Sequence, residues 1–469
     1  MGVKDRELCR SLRPGEMDDD FSASNREPDY EIVPHIPANK DGVLIINGEP
    51  TYEYHGYSDL RVLKIKDNVL IINDNAFGSC TNLERVEMGN GVKFVGNTAF
   101  MYSLTLETIV WSRSLKYIGI EAFKETSIKE LDLPEGLESI GAAAFSECDY
   151  LRVARIPDTV KFIGPAAFSH CKDLKEISLP TNPDCMLLTK SLFEGCRSLT
   201  ELILPDSVTE IARDALSGCS SLTKLILPDS VTEIERDALS GCRSLIELVL
   251  PDSVTTIMRF AFLNCEGLRR VSLPRNPNCQ FLPRGLVSDA RSLKTLIVPE
   301  NFEFIDAYSL NAENLLALAF MGQEVDFPLS ALHTARQEKE SELRIVAYRD
   351  TPDNKRLLAP RLVRLPKLQI KGLIQDDGSV KWYRNGALMK NGVTKADISR
   401  LFPEKRDSVL NAMAAATRYT KTDNLPVLDE IAKNMFPELN DLLRFVESFN
   451  GSRRVVNMLS PGSWLGEPI

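Results

Sequence analysis

The sequence predicts a mostly β repeat solenoid of the α/β type, about twelve rungs of about 23 residues, followed by a small C-terminal α+β domain. Three observations predict it. Residues 205–227 and 228–250 are two 23-residue blocks that match at 18 positions, and a fixed period of this length marks stacked repeats. Within each block the apolar residues alternate with polar ones at the end of the block, which is the side-chain period of a strand. Finally, residues 351–469 carry 19 basic and 13 acidic residues in a chain whose net charge is −10, so the remainder carries −16. The tail is a separate electrostatic object.

Residues 1–40 hold six basic and nine acidic residues, with Asp18-Asp19-Asp20 among them and few large apolar groups. That composition predicts a disordered acidic segment. Residues 41–60 are expected to cap the first rung, so the solenoid with its cap runs over 41–320. Taking Pro205 as anchor, equivalent positions recur from 66 to 299 at intervals of 22 to 25 residues. Leu222, Leu225 and Leu227 show the pattern L-x-x-L-x-L-P, and Leu245, Leu248 and Leu250 repeat it. The proline ends the strand because it lacks an N–H. A second apolar pair follows, Val208 and Ile211 or Val231 and Ile234. An Ala-Phe or Ala-Leu pair comes next, and Gly-Cys or a variant makes the turn back. No block buries its own apolar face, but stacked blocks do, Leu on Leu and Phe on Phe.

These residues resemble the BspA-like class of leucine-rich repeats. The carriers are L-x-x-L-x-L-P, a Val-x-x-Ile pair, and Ala-Phe-x-x-Cys-x-x-Leu, as in Ala144-Phe145-Ser-Glu-Cys148-Asp-Tyr-Leu151. The resemblance covers about residues 60–320. It implies a leucine-rich-repeat array and a role as a binding surface, as in adhesins of bacteria and protists. The N-terminus, Met1-Gly-Val-Lys-Asp-Arg-Glu, has no apolar run of the secretory kind. The expectation is therefore an intracellular, cytoplasmic protein.

Residues 321–350 read as a linker with a short helix. Beyond it, Leu368 and Ile370 alternate with Lys367, Gln369 and Lys371. Asp376-Asp377-Gly378 supplies a turn, and Val380 and Trp382 resume the alternation, which is a β-hairpin signal. Thr394 with Asp397 resembles a capping box, ahead of Ile398, Leu401 and Phe402. Val427, Leu428, Ile431, Met435, Leu439, Leu442, Leu443 and Val446 recur at helical spacing. They predict helices that close the C-terminal end or dock something.

Four histidines leave little material for histidine chemistry, and no P-loop, dinucleotide fingerprint, HExxH, GxSxG or kinase signature occurs. Cys148, Cys171, Cys196, Cys219, Cys242 and Cys265 share one repeat position. A column of parallel side chains does not converge on a metal, which needs about four ligands, so these read as small buried groups. Asp158, Asp206, Asp229 and Asp252 follow a proline and read as turn residues. The reading is thus non-enzymatic, with no cofactor and no metal. The strand's outward columns carry the candidate site for a protein partner: Glu201, Lys224, Glu247 and Arg270 in one, Ile203, Ile226, Val249 and Ile297 in the next. The alternative is a tether to nucleic acid, another anionic polymer or an anionic membrane through the basic segment 361–390, with Arg361, Arg364, Lys367, Lys371, Lys381 and Arg384 as its ligands. No apolar run reaches the length of a membrane span.

Overall fold

A computed structural model describes residues 38–48, 50, 54–185, 188–312, 314–325, 328–332, 343–362, 367–376 and 379–389. The acidic segment before residue 38, Arg364 and the helices expected between 394 and 446 lie outside them. The chain divides into two compact units, with the boundary between Val208 and Thr209.

In the first unit the rungs from Val62 to Ile163 each contribute a front strand of three or four residues and a side strand of two. Front strands Val43–Ile46, Val62–Ile65, Arg85–Glu87 and Thr108–Val110 form one parallel sheet. Glu130–Asp132, Val153–Arg155 and Glu176–Ser178 form a second. The register is one repeat: Leu63 pairs with Val86, and Val86 with Ile109. Alternation sends these central residues inward and their neighbours outward. Side strands from Ile71–Ile72 to Phe162–Ile163 make a five-stranded parallel sheet. The repeat starts earlier than its sequence period shows. Val43–Ile46 is a full front strand paired with Val62–Ile65, and Tyr54 stacks on Phe77 at 5.4 Å in the place other rungs give to Phe.

The third side of the rung is a corner with two left-handed residues. In one rung these are Asn75 and Ser79, at φ 58° and 57°. The N–H groups of Asn75, Phe77 and Ser79 donate to the carbonyls of Asn97, Ala99 and Met101, one rung on, at 2.8, 2.8 and 2.7 Å. Left-handed backbone costs a non-glycine residue roughly 1–2 kcal/mol. Three inter-rung hydrogen bonds per corner offset that cost and leave no buried donor orphaned. Inside, Phe77, Phe100, Phe123, Phe145, Phe168 and Phe193 form a buried ring stack with centroids 5.2 to 6.1 Å apart.

The second unit repeats the plan with other residues. Glu210–Ile211, Glu233–Ile234 and Thr256–Ile257 are its first side strands, and Lys224–Ile226, Glu247–Val249 and Arg270–Ser272 its first front strands. It ends in a six-stranded sheet: Thr295–Val298, Ala317–Phe320, Ile345–Arg349, Ile370–Ile374, Val380–Arg384 and Ala387–Leu388. The first four strands are parallel. Ile370–Ile374 and Val380–Arg384 form the antiparallel hairpin that the sequence predicts around Asp376. The segment 321–350 holds a short 3-10 helix, Leu329–Leu332, and also the strand Ile345–Arg349, where the sequence suggests only a linker. An α-helix, Pro352–Leu362, leads on to the strand at Ile370. Thr351 caps it, accepting the Asn354 N–H at 3.1 Å, and Pro352 takes the first helical position. The buried Asn354 amide accepts from Val325 N–H at 2.9 Å and donates to Gly322 O at 2.9 Å, which ties the helix to the end of the repeats.

Candidate interaction face

The front strand fixes the direction of every candidate residue. In Lys224–Ile226 the central Leu225 is buried, and Lys224 and Ile226 on either side are exposed. The next front strand repeats this, with Leu248 inward and Glu247 and Val249 outward. Ile226 is 44% exposed and Val249 37%. Arg270 pairs with Glu247 in parallel register, and its guanidinium donates to the Glu247 carboxylate at 2.7 Å. This pair is partly exposed and worth well under about 1 kcal/mol to stability, but it fixes two opposite charges beside the apolar stripe. In the first unit, Glu201 and Ile203 occupy the same repeat positions on Glu201–Ile203, and Ile203 is 61% exposed.

Ile297 departs from the expected exposed stripe. It is half-buried and packs on a cluster that the sequence did not reveal. Register explains this. The outward row that holds Ile297 continues through Ala319, Ala347 and Gly372 to Trp382. Ala319, Ala347 and Trp382 are buried, Trp382 to 1%. A row that is wet at Ile226 is thus dry three strands past Val249 and beyond. The one signal for this in the sequence is the change from Ile and Val to Ala, Ala and Gly along a face expected to be exposed.

The basic segment is divided rather than gathered. Lys371 and Lys381 lie on the face of the terminal sheet opposite Trp382, Lys371 across from Tyr383 and half-buried, Lys381 exposed, while Arg384 lies opposite Ile370 on the face of Trp382. Lys381 Nζ donates to Gln375 Oε1 at 2.9 Å, and Gln375 donates to Asp350. A hydrogen bond from Lys355 holds the Asp350 carboxyl below its ordinary range. Trp382 is buried, so its ring offers no stacking surface to a nucleic-acid base. Lys367 is half-buried, and Arg361 lies at the end of the helix Pro352–Leu362.

The remaining columns are structural. Asp158 accepts the Thr181 N–H at 2.7 Å and Asp252 the Arg275 N–H at 2.8 Å, each closing a turn one repeat on. Among the described residues all nine cysteines are buried thiols. Cys171 Sγ donates to Phe145 O at 3.1 Å and Cys265 Sγ to Leu239 O at 3.3 Å. Burial pushes the Cys148 thiol up to about 11 and that of Cys265 up to about 12. No group of three His, Cys, Asp or Glu among the described residues could hold a metal ion, and no described helix is long and apolar enough to cross a membrane.

This geometry has known counterparts. The family model described as BspA type Leucine rich repeat region (6 copies) matches residues 50–182 and 187–316. Among solved structures, the chain is similar to a leucine-rich repeat protein from Bacteroides ovatus, at 24% identity and TM-score 0.47, over 63% of this chain and 89% of that one. It is similar to one from Eubacterium ventriosum at 19% identity and TM-score 0.42, over 62% and 87%. A leucine rich cell surface protein from Faecalibacterium prausnitzii matches at 22% identity and TM-score 0.37, over 66% and 87%. No curated protein matches the chain. The expected intracellular, cytoplasmic location is corrected by the family match, because BspA-type leucine-rich-repeat proteins are described as bacterial cell-surface or secreted proteins. With more than half of its residues matched by one repeat model, the chain belongs to the BspA-type leucine-rich-repeat family.

Proposed function

We propose that this chain is a non-enzymatic scaffold that takes a protein partner on the outward face of the front strands of its second unit, centred on Ile226 and Val249. Leucine-rich-repeat proteins act generally as protein-interaction scaffolds. The observation that carries the finer reading is two exposed apolar side chains on adjacent rungs, beside Lys224 and the Glu247–Arg270 pair. Apolar groups left wet gain nothing from folding. Covering them releases roughly 25 cal/mol for each Å² removed from water. The backbone beneath is held by sheet pairing on one side and the leucine column behind, so little ordering cost opposes association. The fixed charges set register and partner choice more than affinity. Glu201 and Ile203 offer the same chemistry on the first unit, and Ile297 marks where the open stripe of the second unit gives way to covered surface. Of the basic segment, Lys371 and Lys381 share one face of the terminal sheet and Arg384 lies on the other.

The test compares the full chain with its Ile226→Asp/Val249→Asp variant. Proteins captured by each are quantified by mass spectrometry, and the strongest candidate is purified and titrated directly. The variant is expected to keep its circular dichroism and lose partner affinity at least about tenfold. Unchanged affinity in a folded variant defeats the assignment.

A further inference from the structure

Both units leave a second set of apolar side chains wet, on their side strands rather than their front strands. In the first unit the side strands from Ile71–Ile72 to Phe162–Ile163 form one five-stranded parallel sheet. The second residue of each strand is buried, so the first points outward. Register lines these outward residues up as Ile71, Phe94, Tyr117, Ser139 and Phe162. The Phe94 and Tyr117 rings stack at 5.1 Å, and the four large side chains of the column are all partly exposed. Lys93, Lys116 and Lys161 stand immediately before the three aromatic residues. Lys116 is held by Glu138 at 3.1 Å. Lys93 and Lys161 are exposed and, among the described residues, have no acidic partner.

The second unit carries the complementary column. Its side strands place Glu210, Glu233, Thr256, Phe281 and Phe304 outward. Phe281 pairs with Phe304 in parallel register, and the two are 48% and 57% exposed. Glu210 pairs with Glu233 in the same way. Like charges directly opposite each other oppose pairing, and among the described residues no cation forms an ion pair with either carboxylate. Burial, with the Glu235 and Glu233 carboxylates beside it, holds the Glu210 carboxyl above its ordinary range. The two columns therefore match in three respects. Each spans five side strands. Each repeats at the strand spacing of about 4.8 Å, because both are rungs of one repeat. One bears unpaired lysines and the other unpaired glutamates. An unrelated surface does not keep that pitch over several rungs, whereas another copy of this chain does.

We infer that the side sheet of the first unit in one copy of this chain docks on the side strands of the second unit in another copy. Running the two columns in opposite directions sets Ile71 and Phe94 against Phe304 and Phe281. It also brings Lys161 to Glu210 and Glu233, and Lys93 to the neighbourhood of the exposed Glu303. Covering the rings supplies the affinity, and the charges set the register and disfavour the wrong alignment. Every copy carries both columns, so the contact is heterologous and joins unlike patches. It does not rest on the partner assignment, because Ile226 and Val249 lie on the front strands and stay open to a different protein.

The experiment is sedimentation velocity on the full chain, whose monomer mass is 52.4 kDa, over about 1–100 μM. The wild type is expected to self-associate, and less so as salt is raised. Lys161→Glu and Glu210→Lys/Glu233→Lys are each expected to weaken association at least about tenfold. An equal mixture of these two variants should recover it, because the reversed charges are again opposite across copies. A wild type that stays monomeric throughout the range overturns the proposal. So does association that both reversals leave unchanged, which belongs to another surface, and so does a mixture of folded variants that shows no recovery. Carbodiimide cross-linking of mixed isotopically light and heavy wild-type chain reads the same contact should a variant unfold. Mixed-isotope links from Lys161 to Glu210 or Glu233 are expected, and their absence overturns the proposal.

Discussion

The two units share one backbone plan and fill it differently. In the first, rings stack through the core from Phe77 to Phe193, and the rung corner carries Gly96, Gly119, Gly141 and Gly164. An added Cβ at Gly141 would meet Gly119 C at 2.5 Å and Ile120 N at 2.6 Å. In the second, Leu216 and Leu239 replace the rings, and Ala212, Glu235 and Met258 stand where the glycines were. The inter-rung bond at this corner is the same in both, 2.8 Å from Gly141 N–H to Ile118 O and 2.9 Å from Glu235 N–H to Ile211 O. The outward column differs too. It reads Ile45, Lys64, Glu87, Val110, Asp132, Arg155, Ser178 and Ile203 in the first unit, mostly polar between its two ends, and Ile226, Val249, Ser272 and Ile297 in the second, mostly apolar. Hydrogen bonding along the stack thus specifies the rung, while packing and surface chemistry vary upon it. The face of a repeat can change its partner without changing its fold.

Substitutions that exchange features between the units sharpen this contrast. Phe145→Ala removes a fully buried ring stacked on both sides at 5.5 and 5.6 Å. It is expected to cost about 3–5 kcal/mol by urea denaturation, whereas Phe145→Leu, which installs the residue of the second unit, costs less than about 2 kcal/mol. Equal losses for the two would show that the rings are not interchangeable with leucine. Gly141→Ala forces backbone apart and should cost about 1–3 kcal/mol. The reverse change in the second unit, Ala212→Gly, should cost no more than about 1 kcal/mol, the entropy of glycine alone. Glu147 sits at φ 59° where Gly218 and Gly241 occupy the same corner position in the second unit. Glu147→Gly should therefore raise stability by about 0.5–1 kcal/mol, after loss of the exposed ion pair to Lys124. A drop in melting temperature would argue against relief of strain there.

The thiol ladder offers a comparison in which both units should behave alike. Cys148 in the first unit and Cys265 in the second are raised by burial to about 11 and about 12. Unfolded thiols ionise near about 8.5. Below that pH both states are protonated and the contribution is complete. As pH rises beyond it the unfolded state loses protons that the folded state keeps, so stability falls until the folded values are passed. Denaturation midpoints should hold steady up to about pH 8 and decline above about pH 9, with a shallower decline in Cys148→Ala and in Cys265→Ala. A flat midpoint through pH 10 would mean the thiols are not buried as described.

Periodicity made the rung legible, because the Leu, Phe and Cys columns are each dictated by one inward direction. The hairpin around Asp376 was legible for the same reason. What escaped was whatever the repeat does not enforce. Val43–Ile46 pairs as a rung one strand ahead of the first regular repeat, and like the three rungs after it, it lacks the proline that marks the later ones. Ile345–Arg349 lies behind an irregular spacing and reads as part of a linker. Of the candidate face, parity fixed the directions of Ile203, Ile226 and Val249, but parity says nothing about what lies above a face. The burial of Ile297 and Trp382 is a tertiary fact, written in residues far away along the chain.

The corner hydrogen bonds carry a consequence for heredity. Each links a residue to the one before its counterpart in the next rung, so what must be preserved is the repeat as a whole. Loss or gain of one whole 23-residue block, easily produced by misaligned recombination between stretches as alike as 205–227 and 228–250, restores every such bond with a new neighbour. Loss of a few residues restores none of them in register. Such a gene can therefore lengthen or shorten its product in whole steps, and because Ile226 and Val249 lie in these two blocks, each step would add or remove one apolar position of the open stripe.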